Sequence, residues 1–276
     1  MSLRVILESG KKGSNPGGKC QIVPDNGNLS FEAYFKYCYG PPVVPQSSFR
    51  GPHQPIYEAT TFELARMFGL RTPQTYLLLN PNKDVVFERW KEWKEHDPSG
   101  REFYFVSKFL GCDLGNDNMV NGFAHNLISN ERVYLDSLLI DDVVGRRQNY
   151  LICNFSGKTK VIYVDLGCSF VRAKGGELAL PNKMKPKFEN KKRDLKRFLR
   201  DLAKYHLIMA DNIDTFDLGQ LRDRIRSLTL SSLNPLGRVD LVKVVNGDEM
   251  EAIEEDIIYG VHKKLKDFKE RGLLIG

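Results

Sequence analysis

The sequence predicts an α+β fold in two lobes. Period-two strand patterns with one helix fill the chain to about residue 110, helical periodicity of 3.6 dominates from residue 129 onward, and the loop-like stretch Gly111–Gly122 lies between them. Residues 1–110 are therefore expected to form an antiparallel-sheet lobe, and residues 111–276 a mainly helical one.

The elements follow in chain order. Lys19–Val23 and Leu29–Tyr37 are extended runs separated by Pro24-Asp25-Asn26-Gly27-Asn28, in which Asn26-Gly27 is a hairpin signal because both residues tolerate positive φ. In the second run Leu29, Phe31, Ala33 and Phe35 alternate with Ser30, Glu32, Tyr34 and Lys36, so one face is predicted to be buried and Lys36 to lie on the other. Ile56–Phe68 reads as a helix with Gly69 at its C-terminal stop. Thr75–Leu79, Val85–Phe87 and Phe103–Phe109 read as strands, and Ser129–Ile140 as a helix. Tyr150–Cys153 and Lys160–Val164 are expected to form a hairpin around Phe155-Ser156-Gly157. Lys191–Met209, Phe216–Leu230 and Asp248–Arg271 carry helical stripes, the last through Ile253, Ile257, Val261, Leu265 and Phe268.

Composition bounds the function classes. The chain has 276 residues, 41% of them hydrophobic, enough for one large domain or two modest lobes. No apolar run approaches the roughly 20 residues that span a bilayer. The N-terminus offers only Val5-Ile6-Leu7, too short for a secretory h-region, so a cytoplasmic setting is expected. The five cysteines (Cys20, Cys38, Cys112, Cys153, Cys168) are scattered and lack Cys-x-x-Cys spacing, which argues against a zinc site and against a disulfide framework. The net charge of +6 is compatible with an anionic ligand without requiring one.

Four features carry chemistry. Gly13-Ser14-Asn15-Pro16-Gly17-Gly18-Lys19 is a Gly-rich turn before a strand, able to bring backbone N–H groups to phosphate oxygens. It is not a Walker A motif, since no Gly-Lys-Ser/Thr opens a helix. Glu58 shares a helical stripe with Phe62, Ala65 and Gly69, where an unpaired carboxylate is costly, and Lys36 is the nearest cation one element earlier. The alternative is an ordinary first-turn glutamate favoured by the helix dipole. If Ser156-Gly157 is the hairpin turn, Asn149 lies nearly opposite Val164, and Asn149 meets Asp165 at the hairpin's open end. An amide oxygen and a carboxylate there suit Mg²⁺ bound to substrate phosphates; the alternative is a loop asparagine and a strand-end aspartate without a metal. The order of these pieces is that of protein kinases and their relatives.

On these residues the chain resembles the HipA-like kinases, a family related in fold to protein kinases and phosphoinositide kinases. The resemblance covers most of residues 13–170. Gly17-Gly18-Lys19 and Tyr34-Phe35-Lys36 are similar to the family's glycine loop and nucleotide-binding lysine. Glu58-Ala59-Thr60-Thr61-Phe62-Glu63-Leu64-Ala65-Arg66-Met67-Phe68-Gly69-Leu70-Arg71-Thr72-Pro73 is similar to its Glu-bearing helix and is the most specific stretch. Phe103–Leu110 resembles the strand leading to the adenine-contacting hinge, which implicates Lys108 and Phe109; Asn149 and Asp165-Leu166-Gly167 resemble the metal-binding positions. One position departs. The family's Asp-Arg-His-x-x-Asn loop places an aspartate five residues before the asparagine, where this chain has Val144. Either Asp142 serves from a longer loop, with Asp141 beside it, or the usual base is missing.

The resemblance implies a two-lobed protein-kinase-like fold and an ATP- and Mg²⁺-dependent kinase acting on a protein Ser/Thr hydroxyl. Lys36, Glu58 and Asp142 would be catalytic. Gly17, Gly18, Lys19, Lys36, Lys108 and Phe109 would bind the nucleotide, and Asn149 and Asp165 the metal. Two rivals stand beside it. The basic residues between 172 and 193 match a segment that reads inositol phosphates in phosphoinositide kinases, so a lipid headgroup or another acidic or phosphorylated ligand is an alternative. The absent aspartate at 144 motivates a nucleotide-binding pseudokinase that regulates a partner. Glu189 and Asp194 within the basic run argue against nucleic acid as a direct substrate.

Overall fold

The computed structural model describes residues 3–10, 16–24, 30–38, 53–67, 69–91, 93, 97–112, 150–167 and 218–270. The fold is a sheet-dominated α+β arrangement. Its elements are β1 (Leu3–Ser9), β2 (Gly17–Pro24), β3 (Phe31–Lys36), α1 (Gln54–Met67), β4 (Thr75–Leu79), β5 (Val86–Arg89), β6 (Phe103–Lys108), β7 (Tyr150–Phe155), β8 (Lys158–Tyr163), α2 (Leu218–Arg226), β9 (Thr229–Leu233), β10 (Leu236–Asp240), α3 (Leu241–Val244) and α4 (Gly247–Glu270). The expected helices Ser129–Ile140 and Lys191–Met209, the basic residues between 172 and 193, and Asp141, Asp142 and Asn149 lie outside the described residues.

Eight strands form one sheet in the order β10-β9-β4-β6-β3-β2-β1-β5, and β7 and β8 form a separate hairpin. Neighbours in the large sheet are antiparallel except β1 with β5 and β4 with β9. The alternation read from Phe31–Lys36 sorts its two faces. Ala33 and Phe35 are fully buried with Val5, Leu7, Cys20, Ile22, Tyr104 and Val106 in the main core. Aromatic rings give that core its bulk: Phe35 stacks on Tyr104 with centroids 5.0 Å apart and tilts against Phe87 at 5.7 Å. Burial pushes the Cys20 thiol far above the ordinary range, so it serves as a small apolar side chain.

Lys36 and Tyr34 point to the other face, part of which α1 covers. Pro55 suits the first turn, where a missing N–H costs nothing. At the far end Gly69 has φ 73°; its N–H donates to the Arg66 carbonyl and that of Leu70 to the Ala65 carbonyl, the two bonds of a Schellman stop. Phe62 stacks on Phe105 of β6 with centroids 5.2 Å apart, and residues Gln54 to Ala65 are all buried. Such complete burial needs cover on the helix's outer side as well. The β7–β8 hairpin joins the chain just past α1, the Tyr163 N–H donating to the Arg71 carbonyl. Helix α4 reaches α1 itself through Glu249, which accepts the Tyr57 hydroxyl.

Two expectations are corrected, and one strand is added. The helix expected over Phe216–Leu230 ends at Arg226, and Thr229–Leu233 becomes strand β9, which pairs with β4 through Leu77 and Ser232. Cys112 and Cys153, expected as thiols, form a disulfide with Cα atoms 5.3 Å apart. It ties the stretch after β6 to β7 and takes away part of the support for a cytoplasmic setting. Leu3–Ser9, not assigned from its pattern, is a strand with Leu3, Val5 and Leu7 inward. No described helix is long and apolar enough to cross a membrane.

Candidate functional site

The site is built around the last residue of β3. Lys36 Nζ lies 2.7 Å from Glu58 Oε1 on α1 and 2.7 Å from Asp165 Oδ1, two residues beyond β8. The ammonium also lies over the Phe105 ring, 5.7 Å from its centroid. The three groups differ in access. The Glu58 side chain is 1% exposed, Lys36 25% and Asp165 49%, so the cluster opens from a buried anchor to an accessible carboxylate.

Helix α1 begins at Gln54, two residues earlier than its apolar pattern suggests, which puts Glu58 past the first turn. The dipole reading of Glu58 therefore yields to the ion pair. Burial pulls the Lys36 ammonium down, but the Glu58 and Asp165 carboxylates together outweigh it and the net shift is upward. Burial pushes the Glu58 carboxyl up, the Lys36 charge pulls it back, Asp165 pushes it up again, and the net is also upward.

Asp165 sits at φ 57°, a left-handed conformation that aspartate tolerates better than most residues. The turn it starts is fitted to α1. A Cβ on Gly167 would stand 2.6 Å from Glu58 Oε2 and 3.3 Å from Gln54 Nε2, so a side chain here would push the Glu58 carboxylate aside. The Gln54 amide also donates to the Gly167 carbonyl. The Asp-Leu-Gly motif and the helix glutamate are thus two sides of one contact.

The hairpin behaves as its turn chemistry dictates. Ser156 and Gly157 both have positive φ, 50° and 76°, the pattern of a tight two-residue hairpin turn. Tyr150 pairs with Tyr163, and the register runs unbroken to Phe155 and Lys158. Asn149 itself lies outside the described residues.

Other expected ligands disperse. Gly17 pairs with Lys36 and Gly18 with Phe35 inside β2. A Cβ on Gly17 would strike the Phe35 carbonyl, and one on Gly18 the Ser9 carbonyl and the Trp93 ring, so strand packing accounts for both glycines. Lys19 is on the Lys36 side of the sheet, but it is paired to Glu32 at 2.5 Å and Glu8 at 3.6 Å, with the Phe109 ring centroid 5.0 Å away. Phe109 also meets Tyr34 edge to face at 5.5 Å. Lys108 faces the other way: its register with Ala33 turns it to the opposite face, with its ammonium 5.8 Å from the Phe31 ring centroid. The backbone N–H groups of Lys108 and Phe109 donate to the carbonyls of Gln74 and Glu32.

A polar cluster that the sequence reading missed anchors α1 from behind. Glu249 of α4, fully buried, accepts the Tyr57 hydroxyl at 2.6 Å and lies 2.8 Å from His53 Nδ1. Its only sequence trace is a glutamate on the apolar side of a helix.

For a divalent cation, the described residues hold no cluster of three or more ligating side chains. Asp165 nonetheless fits the way magnesium is bound with phosphates, by one or two protein oxygens while the substrate supplies others. Its carboxylate is half exposed, and only Oδ1 is engaged by Lys36.

No family model matches the chain, and no curated protein does. Among solved structures it is similar to the crystal structure of a Helicobacter pylori proinflammatory kinase, CtkA, at 9% sequence identity and a TM-score of 0.43, the alignment covering 95% of this chain and 98% of that one. A likeness of this size assigns the chain to no family.

Proposed function

We propose that the chain is an ATP- and Mg²⁺-dependent phosphotransferase acting on a protein Ser/Thr hydroxyl. The observation that carries this reading is the lysine held between a buried helix carboxylate and an accessible hairpin-end carboxylate. Lys36 keeps a donor for anionic oxygens while Glu58 fixes its position. Two carboxylates on one ammonium are more negative charge than it needs, and Asp165 is the one free to turn toward a ligand.

In this reading Lys36 holds the α- and β-phosphates of the nucleotide, and Gly17, Gly18 and Lys19 lie along the strand beside them. Phe109, on the same side of the sheet, offers a ring to the base, and Lys108 would contribute through the strand end rather than its ammonium. Asp165, with Asn149, would hold magnesium, which supplies charge neutralisation for the transferred phosphoryl group. Asp142 would orient the acceptor hydroxyl. General-base assistance contributes about 10²–10⁴-fold, whereas positioning and charge stabilisation dominate phosphoryl transfer, so a displaced base weakens such an enzyme without removing nucleotide binding.

The test is Mg²⁺-dependent stabilisation by ATP. At about 100 times its Kd the ligand adds roughly 2.7 kcal/mol to stability. Asp165→Ala is expected to abolish the part of that gain that depends on magnesium. Undiminished stabilisation in the variant contradicts the assignment. Stabilisation without single-turnover transfer from γ-labelled ATP to protein or phosphoinositide acceptors moves the chain to the pseudokinase reading, and transfer to a phosphoinositide alone to the lipid-kinase one.

A further inference from the structure

Helix α1 presents two side chains one turn apart to the same turn of chain. Glu58 grips Lys36 with Oε1, while its Oε2 faces the space beside Gly167. Gln54, four residues earlier and on the same side of the helix, is buried and donates its amide to the Gly167 carbonyl. The direction of that bond is fixed by chemistry, since a carbonyl oxygen only accepts. Leu166 is fully buried, so the turn is held at 166 and 167 while Asp165 reaches out from a left-handed backbone.

A hairpin alone does not fix a residue that follows its last strand pair. β8 ends at Tyr163, and Asp165 lies beyond the ladder. Among the described residues, α1 supplies a clamp on that turn. A buried carbonyl deprived of its donor carries a penalty of about 1–3 kcal/mol, enough to make the turn seek another conformation.

We propose that Gln54 is a positioning residue whose amide, by holding the Gly167 carbonyl, keeps the Asp165 carboxylate on Lys36. The proposal rests on the phosphotransferase reading only for what Asp165 does; the positioning itself is a property of the fold. Gln54 then acts on Lys36 through Asp165, and the two effects are one.

The acylation rate of Lys36 by an amine-reactive ester, followed by peptide mass spectrometry and normalised to the exposed Lys83, reads this directly. Lys36 Nζ is held by two carboxylates at 2.7 Å, so removing one leaves the amine less engaged and raises its rate of acylation. Asp165→Asn is expected to show that rise. Gln54→Met, nearly isosteric but without a donor, is expected to match it with Lys83 unchanged, and the double variant to add nothing further. Gln54→Asn, whose amide falls short of the carbonyl, should behave likewise and serves if the methionine variant folds poorly. Wild-type reactivity in the Gln54 variants beside a raised rate in Asp165→Asn overturns the proposal, as does full additivity in the double variant. Mg·ATP protection of Lys36 is scored separately. If it is absent in the wild type while the Gln54 effect is present, the positioning role stands and the phosphotransferase reading falls.

Discussion

At the scale of single residues, the site is a contest between burial and charge at Glu58. A carboxylate 1% exposed has one ammonium at 2.7 Å to set against the cost of its burial. Removing one member of such a pair costs about 3–5 kcal/mol because the other stays buried and charged. Lys36→Met should therefore destabilise the protein by that order, measured by urea unfolding, and pH should modulate the loss. Burial already raises the Glu58 carboxyl despite Lys36, so without Lys36 it rises further. A group whose folded pKa is raised favours the folded state below its ordinary value and loses that contribution as pH rises through the folded one. The gap between wild type and Lys36→Met is thus expected to be small near pH 4 and to widen toward pH 8. An equal gap at both ends would mean that Glu58 is not the group left charged. The contact of Lys36 with Glu58 was legible because the glutamate sat on an apolar helical stripe with a strand lysine one element earlier. Gln54, His53 and Glu249 were not, because their partners lie 113 and 196 residues away and nothing in their own surroundings marks them.

At the scale of elements, strands were readable where alternation and turn residues agreed. β4 is found at Thr75–Leu79 as its composition suggests, and the Ser156-Gly157 turn sets the β7–β8 register. β9 was not readable. Leu221, Ile225 and Leu228 continue a helical stripe up to its first residue, and Ser231-Ser232 is weak strand material. It becomes a strand because β4 offers an edge, with Leu230 and Ser232 buried by that docking. The disulfide was equally invisible, since Cys112 and Cys153 are 41 residues apart and share no motif. Closing a loop of that length restricts the unfolded chain by about 4 kcal/mol in the chain-entropy model. Cys153→Ser, or reduction of the wild type, should each lower stability by about 2–4 kcal/mol, and peptide mapping without reductant should recover residues 112 and 153 in one linked species. Recovery of both as alkylated thiols from native protein would remove the bond and the prediction together.

At the scale of the whole molecule, the sheet does not stop where the sequence changes character. The strand-rich stretch to residue 110 supplies β1 to β6, but β9 and β10 extend the same sheet beyond β4. Three ties from this later part converge on α1. Ser231 and Arg238 approach Glu63 at 3.4 and 3.3 Å. Glu249 receives the Tyr57 hydroxyl and faces His53. Gly167 receives the Gln54 amide. A fragment of residues 1–110 would keep the apolar core of β1 to β6 yet lose every one of these. It would leave the β4 edge unpaired, Glu63 without Arg238, and the outer side of α1, buried from Gln54 to Ala65, open to water. An open apolar helix face and a bare strand edge favour association over independent folding. The fragment is therefore expected to unfold without a sharp cooperative transition and to self-associate, as read by urea titration and light scattering, while the full chain unfolds cooperatively. A monomeric fragment with a sharp transition and native-like stability would show instead that α1 needs nothing from the later strands. The Lys36–Glu58 pair would then be a property of residues 1–110 alone, and only Asp165 would have to be brought to it.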